Sequence, residues 1–194
     1  MKAATAPAAR PAILVLGDSL SAEYGLRRGT GWVALLIQKL QTEKIRAEVV
    51  NASISGDTTS GGRARLPDLL TQHKPTLVVV ELGGNDALRG LPLEQSHDNL
   101  LAITRLAQQS GARVVLLGMQ VPPNYGRDYA RRFSGMYTDV AKTTRAILVP
   151  FFLKGIADAP DSMAWFQPDR IHPKEEAHPR MLANVWPALK KGLL

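Results

Sequence analysis

A chain of 194 residues, 45% of them hydrophobic and 21% charged, has the size and composition of one globular unit and lies below the length at which cores usually split. No apolar run approaches the ~20 residues needed to cross a bilayer, and the absence of cysteine excludes disulfides, a thiol nucleophile and thiolate metal sites. The net charge of +7 comes with arginines in pairs (Arg27 and Arg28, Arg63 and Arg65, Arg131 and Arg132). This reads as a solvated basic face, which can also draw the chain transiently to an anionic membrane surface or to the phosphates of a coenzyme A thioester. Nucleic acid is not expected as a partner, because there is no zinc-finger spacing or RNA-binding signature and only 6% of residues are aromatic.

Residues Met1 to Pro11 are rich in Ala and Pro and lack the apolar core of a secretory signal, so they are expected to form a flexible lead-in to a single domain over residues 12–194. The first strand is predicted at Ala12–Leu16 and the first helix at Gly31–Gln41. A strand at Ala47–Asn51, a helix at Gly61–His73, a strand at Leu77–Leu82 and a helix at Ser96–Gln109 follow. The chain then gives a strand at Arg113–Gly118, a helix at Tyr129–Arg145, a strand at Ile147–Phe151 and a last helix near Glu175–Lys191. The strand runs are nearly continuously apolar, as expected when both faces of a sheet are covered. In the fourth helix Tyr129, Phe133, Met136, Tyr137, Val140 and Ala141 recur at the helical period, so these aromatics belong to the core and not to a cofactor box. In the last, Ala177, Met181, Leu182, Val185 and Leu189 share one side; Pro179 must sit in the first turn and Pro187 is expected to kink or end the helix. Alternating strands and helices predict an α/β chain, a three-layer α/β/α sandwich on a five-stranded parallel sheet whose ligands bind beyond the carboxyl ends of the strands.

Short pieces far apart in sequence converge on that edge: Gly17-Asp18-Ser19-Leu20 after the first strand, Gly56 after the second, Gly83-Gly84-Asn85-Asp86 after the third, and Asp169-Arg170-Ile171-His172 after the fifth. Singly, each has a plain structural reading as a cap, a turn or a surface histidine. Jointly they supply the parts of acyl transfer. Ser19 is a weak nucleophile until a base takes its proton; His172 is the candidate base, free histidine side chains having a pKa of about 6.5, and Asp169 can orient the ring. The Ser19 backbone N–H at a helix N-terminus, the Gly56 N–H and the Asn85 side-chain amide can donate to a developing oxyanion. His73, His97 and His178 have no second ligand at useful spacing, so they read as surface or cap residues and no metal or other cofactor is expected.

These blocks resemble those of the SGNH, or GDSL, hydrolases, and the resemblance runs through nearly the whole chain after Pro11. It is closer to the bacterial thioesterase I, lysophospholipase L1 and arylesterase branch through Gly31-Trp32-Val33, the run Asn51 to Thr59, the run Leu82 to Gly90, Pro123-Asn124-Tyr125-Gly126 and Pro150-Phe151-Phe152. The resemblance implies a flavodoxin-like fold and cofactor-free hydrolysis of esters and thioesters, with Ser19, Gly56, Asn85 and His172 in the roles given above. It also implies a periplasmic location, which the residues themselves do not show; a removed leader or a cytoplasmic protein are the two readings. Two positions depart from the pattern: Glu23 stands where a small residue is common, and Arg170 where glycine is frequent. Glu23 is expected about one helical turn from Ser19, where it would perturb local charge.

In the family the loop after Asn85 closes over an acyl chain. Here its Leu88, Leu91 and Leu93 can line a groove, with Met119, Val121 and Pro122 beyond the fourth strand and Ile171 beside the base completing an apolar wall. This favours acyl esters and thioesters, including aryl esters, acyl-CoA and lysophospholipids, over sugar acetates, whose enzymes would carry more aromatic and polar loops. A short-chain or carbohydrate acetylesterase is the alternative within the class. A non-catalytic anion-binding module, using the turn at Ser19 as a cradle, is the alternative outside it. The expected state is a monomer or weak oligomer.

Overall fold

The computed structural model describes residues 11–193; the greater part of the expected lead-in and the last residue lie outside them. Five parallel strands, β1 (Ala12–Gly17), β2 (Glu48–Asn51), β3 (Leu77–Glu81), β4 (Arg113–Leu117) and β5 (Ile147–Val149), form one sheet in the order β2-β1-β3-β4-β5. This is the doubly wound order of flavodoxin-like sheets, with its reversal between β1 and β3. Every residue of β1 and β3 is buried, while β2 and β5, at the edges, are partly open. In the register of the two central strands Leu16 lies beside Val80 and Gly17 beside Glu81.

The helices are α1 (Trp32–Thr42), α2 (Thr59–His73), α3 (Gly84–Leu88), α4 (Leu93–Gln109), α5 (Arg127–Thr144) and α6 (His178–Leu193). Helices α1 and α6 pack together on one face, and α2, α4 and α5 cover the other. The core is the set of side chains that the strand pattern and the helical stripes turn inward. Trp32, Phe133, Tyr137 and Phe152 are its largest members, each worth on the order of 2–3 kcal/mol in burial.

Each expected strand forms, and the differences are local. Helix α2 starts at Thr59, earlier than expected, because the Thr58 side chain accepts the Gly61 N–H at 3.2 Å and caps it. Helix α6 does place Pro179 in its first turn, but it does not end at Pro187 and runs on to Leu193. Val185 and Leu189, either side of the proline, are fully buried, and that packing holds the helix together across the missing hydrogen bond. The short α3, unforeseen, opens directly after Gly83, whose φ of 115° suits glycine alone. No helix among the described residues is long and apolar enough to cross a membrane.

Candidate active site

Ser19 follows β1 by two residues, on a run of hydrogen-bonded turns and not on the helix start that was expected. Asp18 organises the turn: its carbonyl accepts the Ala22 N–H at 2.9 Å and its Oδ1 the Leu20 N–H at 3.0 Å. Glu23 and Gly25 then adopt left-handed φ values of 60° and 71°, which stop a helix from propagating. Glu23 does not reach the serine; its carboxylate accepts the N–H groups of Gly29 at 2.9 Å and Gly31 at 2.8 Å and so folds the loop that leads into α1.

His172, the expected base, arrives from the far end of the chain. His172 Nε2 lies 2.9 Å from Ser19 Oγ, and its Nδ1 lies 2.7 Å from Asp169 Oδ2. The other oxygen of Asp169 accepts the Ile171 and His172 N–H groups at 2.9 and 3.0 Å. One carboxylate thus builds the turn and orients the ring. Burial pushes the Asp169 carboxyl up, but the two backbone N–H donors and the His172 ring together outweigh it and bring its pKa down to about 2. Arg170 has a φ of 60°, the left-handed conformation that glycine takes without strain. Gln167 joins the two halves of the site, its Nε2 donating to the Tyr24 carbonyl at 3.0 Å and the Pro173 carbonyl at 3.1 Å. The Tyr24 ring lies 4.3 Å from that of His172, tilted by 36°.

Gly56, with φ of 80°, turns its carbonyl to Arg89 Nη2 at 2.7 Å. Neither its N–H nor that of Ser19 has a protein acceptor among the described residues. The Asn85 amide sits on α3 and donates to Asp18 Oδ2 at 3.0 Å and to the Asp57 carbonyl at 2.9 Å. Burial raises the Asp18 pKa to about 6, against the pull of the Leu20 N–H, Glu81 and His172.

A cavity of about 120 Å³ opens beside this arrangement, lined by Asp18, Ser19, Leu20, Gly84, Asn85, Leu88, Met119, Leu153, Ile171 and His172. A larger open hollow of about 510 Å³ lies along α4, but its lining holds no serine beside a histidine. Of the residues expected to contact substrate, Leu88, Met119 and Ile171 line the cavity; Leu91, Leu93, Val121 and Pro122 are not part of its lining. Leu91 is drawn away because its N–H closes the end of α3 on the Asp86 carbonyl at 2.9 Å. Leu20 and Leu153 complete the wall unforeseen. Leu153 gave no separate signal, being one more apolar residue after a strand. His178, expected at the surface or as a cap, is buried and serves as a cap, its Nδ1 accepting the Trp32 N–H. Among the described residues no group of three or more His, Cys, Asp or Glu side chains is placed to hold a metal ion.

A serine in line with an imidazole and a carboxylate, beside open N–H donors at the carboxyl edge of a parallel sheet, defines the site of a serine hydrolase. Residues 15–180 match the GDSL-like Lipase/Acylhydrolase family. Esterase TesA of Pseudomonas aeruginosa is 52% identical over 186 residues, covering 96% of this chain and 91% of that protein. Thioesterase 1/protease 1/lysophospholipase L1 of Escherichia coli K12 is 45% identical over 172 residues, covering 89% of this chain and 80% of that protein. A crystal structure of TesA superimposes with a TM-score of 0.90 at 52% identity, covering 94% of this chain and 99% of that one. The chain belongs to the GDSL-like lipase/acylhydrolase family and is a hydrolase acting on ester bonds.

Proposed function

We propose that the protein hydrolyses esters and thioesters of acyl chains longer than acetyl, through an acyl-enzyme on Ser19. The observation that carries the substrate class is the pair Leu88 and Ile171, large apolar side chains 51% and 45% exposed in the lining of the cavity that holds Ser19 and His172. Apolar surface left open beside reacting groups is surface that a bound acyl chain would cover.

In the first half-reaction Ser19 Oγ attacks the acyl carbonyl carbon while its proton passes to His172 Nε2, and Asp169 stabilises the imidazolium that forms. The carbonyl oxygen becomes an oxyanion facing the N–H groups of Ser19 and Gly56 and the Asn85 amide. Collapse expels the alcohol or thiol, which takes the proton from His172. Water then attacks the acyl-enzyme, His172 accepts its proton, and the acid leaves with Ser19 restored.

The likeness to the thioesterase 1 branch supports a periplasmic setting, and the basic charge supports transient contact with anionic lipid surfaces carrying lysophospholipid substrate. The test of substrate class is kcat/KM along a ladder of acyl lengths, as matched aryl esters and coenzyme A thioesters, with Ser19→Ala as the blank. Rates rising beyond acetyl are expected; activity confined to acetyl would make the protein a short-chain esterase and remove the groove. Failure of a phosphonate to label Ser19 would remove the nucleophile.

A further inference from the structure

Glu81 is the last residue of β3 and is 1% exposed, an acid at the centre of the sheet that the hydrolytic steps above do not use. Its Oε2 accepts the Asp18 N–H at 3.2 Å and the Ser21 hydroxyl at 2.7 Å, and that hydroxyl in turn accepts the Trp32 indole N–H at 3.1 Å. The approach is so close that a Cβ on Gly17 would stand 2.9 Å from Glu81 Oε2 and 2.8 Å from Ser21 Oγ. The glycine that opens the Gly-Asp-Ser segment therefore leaves the room that Ser21 and Glu81 occupy. Asp18, which Glu81 holds by its N–H, is itself 3% exposed and accepts the Asn85 amide.

Two ionised carboxylates in this space would be an uncompensated pair in an apolar interior. Among the described residues no Lys or Arg side chain forms an ion pair with either carboxylate. Arg65, which reaches the Gly17 carbonyl at 3.5 Å, gives its charge to Asp57 at 2.8 Å. The other titratable groups that face the pair are Asp57 and His172 on the Asp18 side and the Tyr137 phenol on the Glu81 side, and only a protonated His172 would add positive charge. Burial first, and the Asp18 charge second, push the Glu81 carboxyl well above the usual carboxylate range.

We propose that Glu81 is a positioning residue of the esterase site, acting as a neutral carboxylic acid that fixes the Asp18–Ser19 turn and moderates the hold of Asp18 on the Asn85 amide. The inference rests on the esterase reading. An amide hydrogen locked on a full, lone carboxylate is poorly available to a substrate oxyanion. A proton placed on Glu81 and offered to Asp18 weakens Asp18 as an acceptor and limits the pair to one negative charge beside the place where the transition-state charge develops.

Three measurements test this. Infrared spectra at neutral pH should show a protonated, buried carboxylic acid in the parent that is missing in Glu81→Gln. The volume-matched Glu81→Met, which can neither accept nor donate, should lower kcat by about 100-fold with KM little changed, as expected for displaced oxyanion donors. Glu81→Gln, neutral and able to make both kinds of hydrogen bond, should restore kcat to within about threefold of the parent, and should lack the alkaline decline in kcat that ionisation of Glu81 imposes on the parent. Absence of the acid band, equal loss in the Gln and Met variants, or superimposable alkaline profiles of parent and Glu81→Gln would each overturn the proposal. If Glu81→Met does not fold, the spectrum and the Glu81→Gln profile decide alone. A parent that forms no acyl-enzyme on Ser19 would remove the nucleophile assignment, an outcome separate from all of these.

Discussion

His178 Nδ1 accepts the backbone N–H of Trp32 at 3.0 Å, so an imidazole at the start of α6 caps the first turn of α1. The acceptor atom must be unprotonated. Burial holds the ring at a pKa of about 4, although Glu23, the Pro173 carbonyl and Glu175 favour its charged form.

The sign of the pH effect follows from that depression. The unfolded chain binds the proton first, so the stability this residue contributes is whole above the ordinary 6.5 and is lost as pH falls from there toward about 4. The gap is equivalent to at most about 3 kcal/mol. We expect His178→Gln, which keeps an acceptor without titrating, to flatten the decline in Tm across that window; equal slopes in the two proteins would place the acid sensitivity elsewhere.

Asn85→Ala removes an amide that also ties Asp18 to the Asp57 carbonyl. A fall in kcat of about 10²–10³ with KM nearly constant is expected from the loss of one oxyanion donor. A rise in KM alone would make Asn85 a residue that positions bound substrate.

Asp169→Asn preserves an oxygen for the two turn N–H groups but presents an N–H to His172 Nδ1. The ring must then carry its hydrogen on Nε2, facing Ser19, where it cannot act as base. The expected loss in kcat is about 10⁴ with the fold intact. Because the parent carboxyl titrates near pH 2, no acid limb of activity above pH 4 is to be assigned to it.

Gly83→Ala is expected to cost about 3 kcal/mol, read as a lowered Tm. The new Cβ would stand 2.3 Å from the Tyr137 hydroxyl, which donates to the Leu82 carbonyl at 2.8 Å, and φ would remain at 115°. An unchanged Tm would mean that the loop carrying Asn85 relaxes freely.

Much of this was readable before any coordinates. The buried strands announced themselves because a sheet covered on both faces needs unbroken runs such as Leu77–Val80, and Ser19, Gly56, Asn85 and His172 could be placed together because each follows a parallel strand at its carboxyl end. The lining of the cavity was only half legible. Leu91 and Leu88 look alike in sequence, and what separates them is a backbone hydrogen bond that ends a five-residue helix too short to leave a periodic signal. At Pro187 local chemistry argues for a kink or an end, and distant packing carries the helix on to Leu193. Glu81 did carry a signal, a single acid closing an otherwise apolar strand, but its partners Asp18 and Ser21 come from the turn after β1, 63 and 60 positions earlier in the chain, and nothing local names them.

Ser19 and His172 touch across 153 positions of chain. During synthesis Ser19 emerges with the first strand and His172 only after the fifth, so a ribosome-bound chain already folded through β4 lacks their contact. The Gln167 bridge to the Tyr24 carbonyl is then the final latch. The Ser19–His172 contact therefore forms only with the docking of residues 167–173, and a fragment cut before them keeps the turn of Ser19 without its imidazole partner.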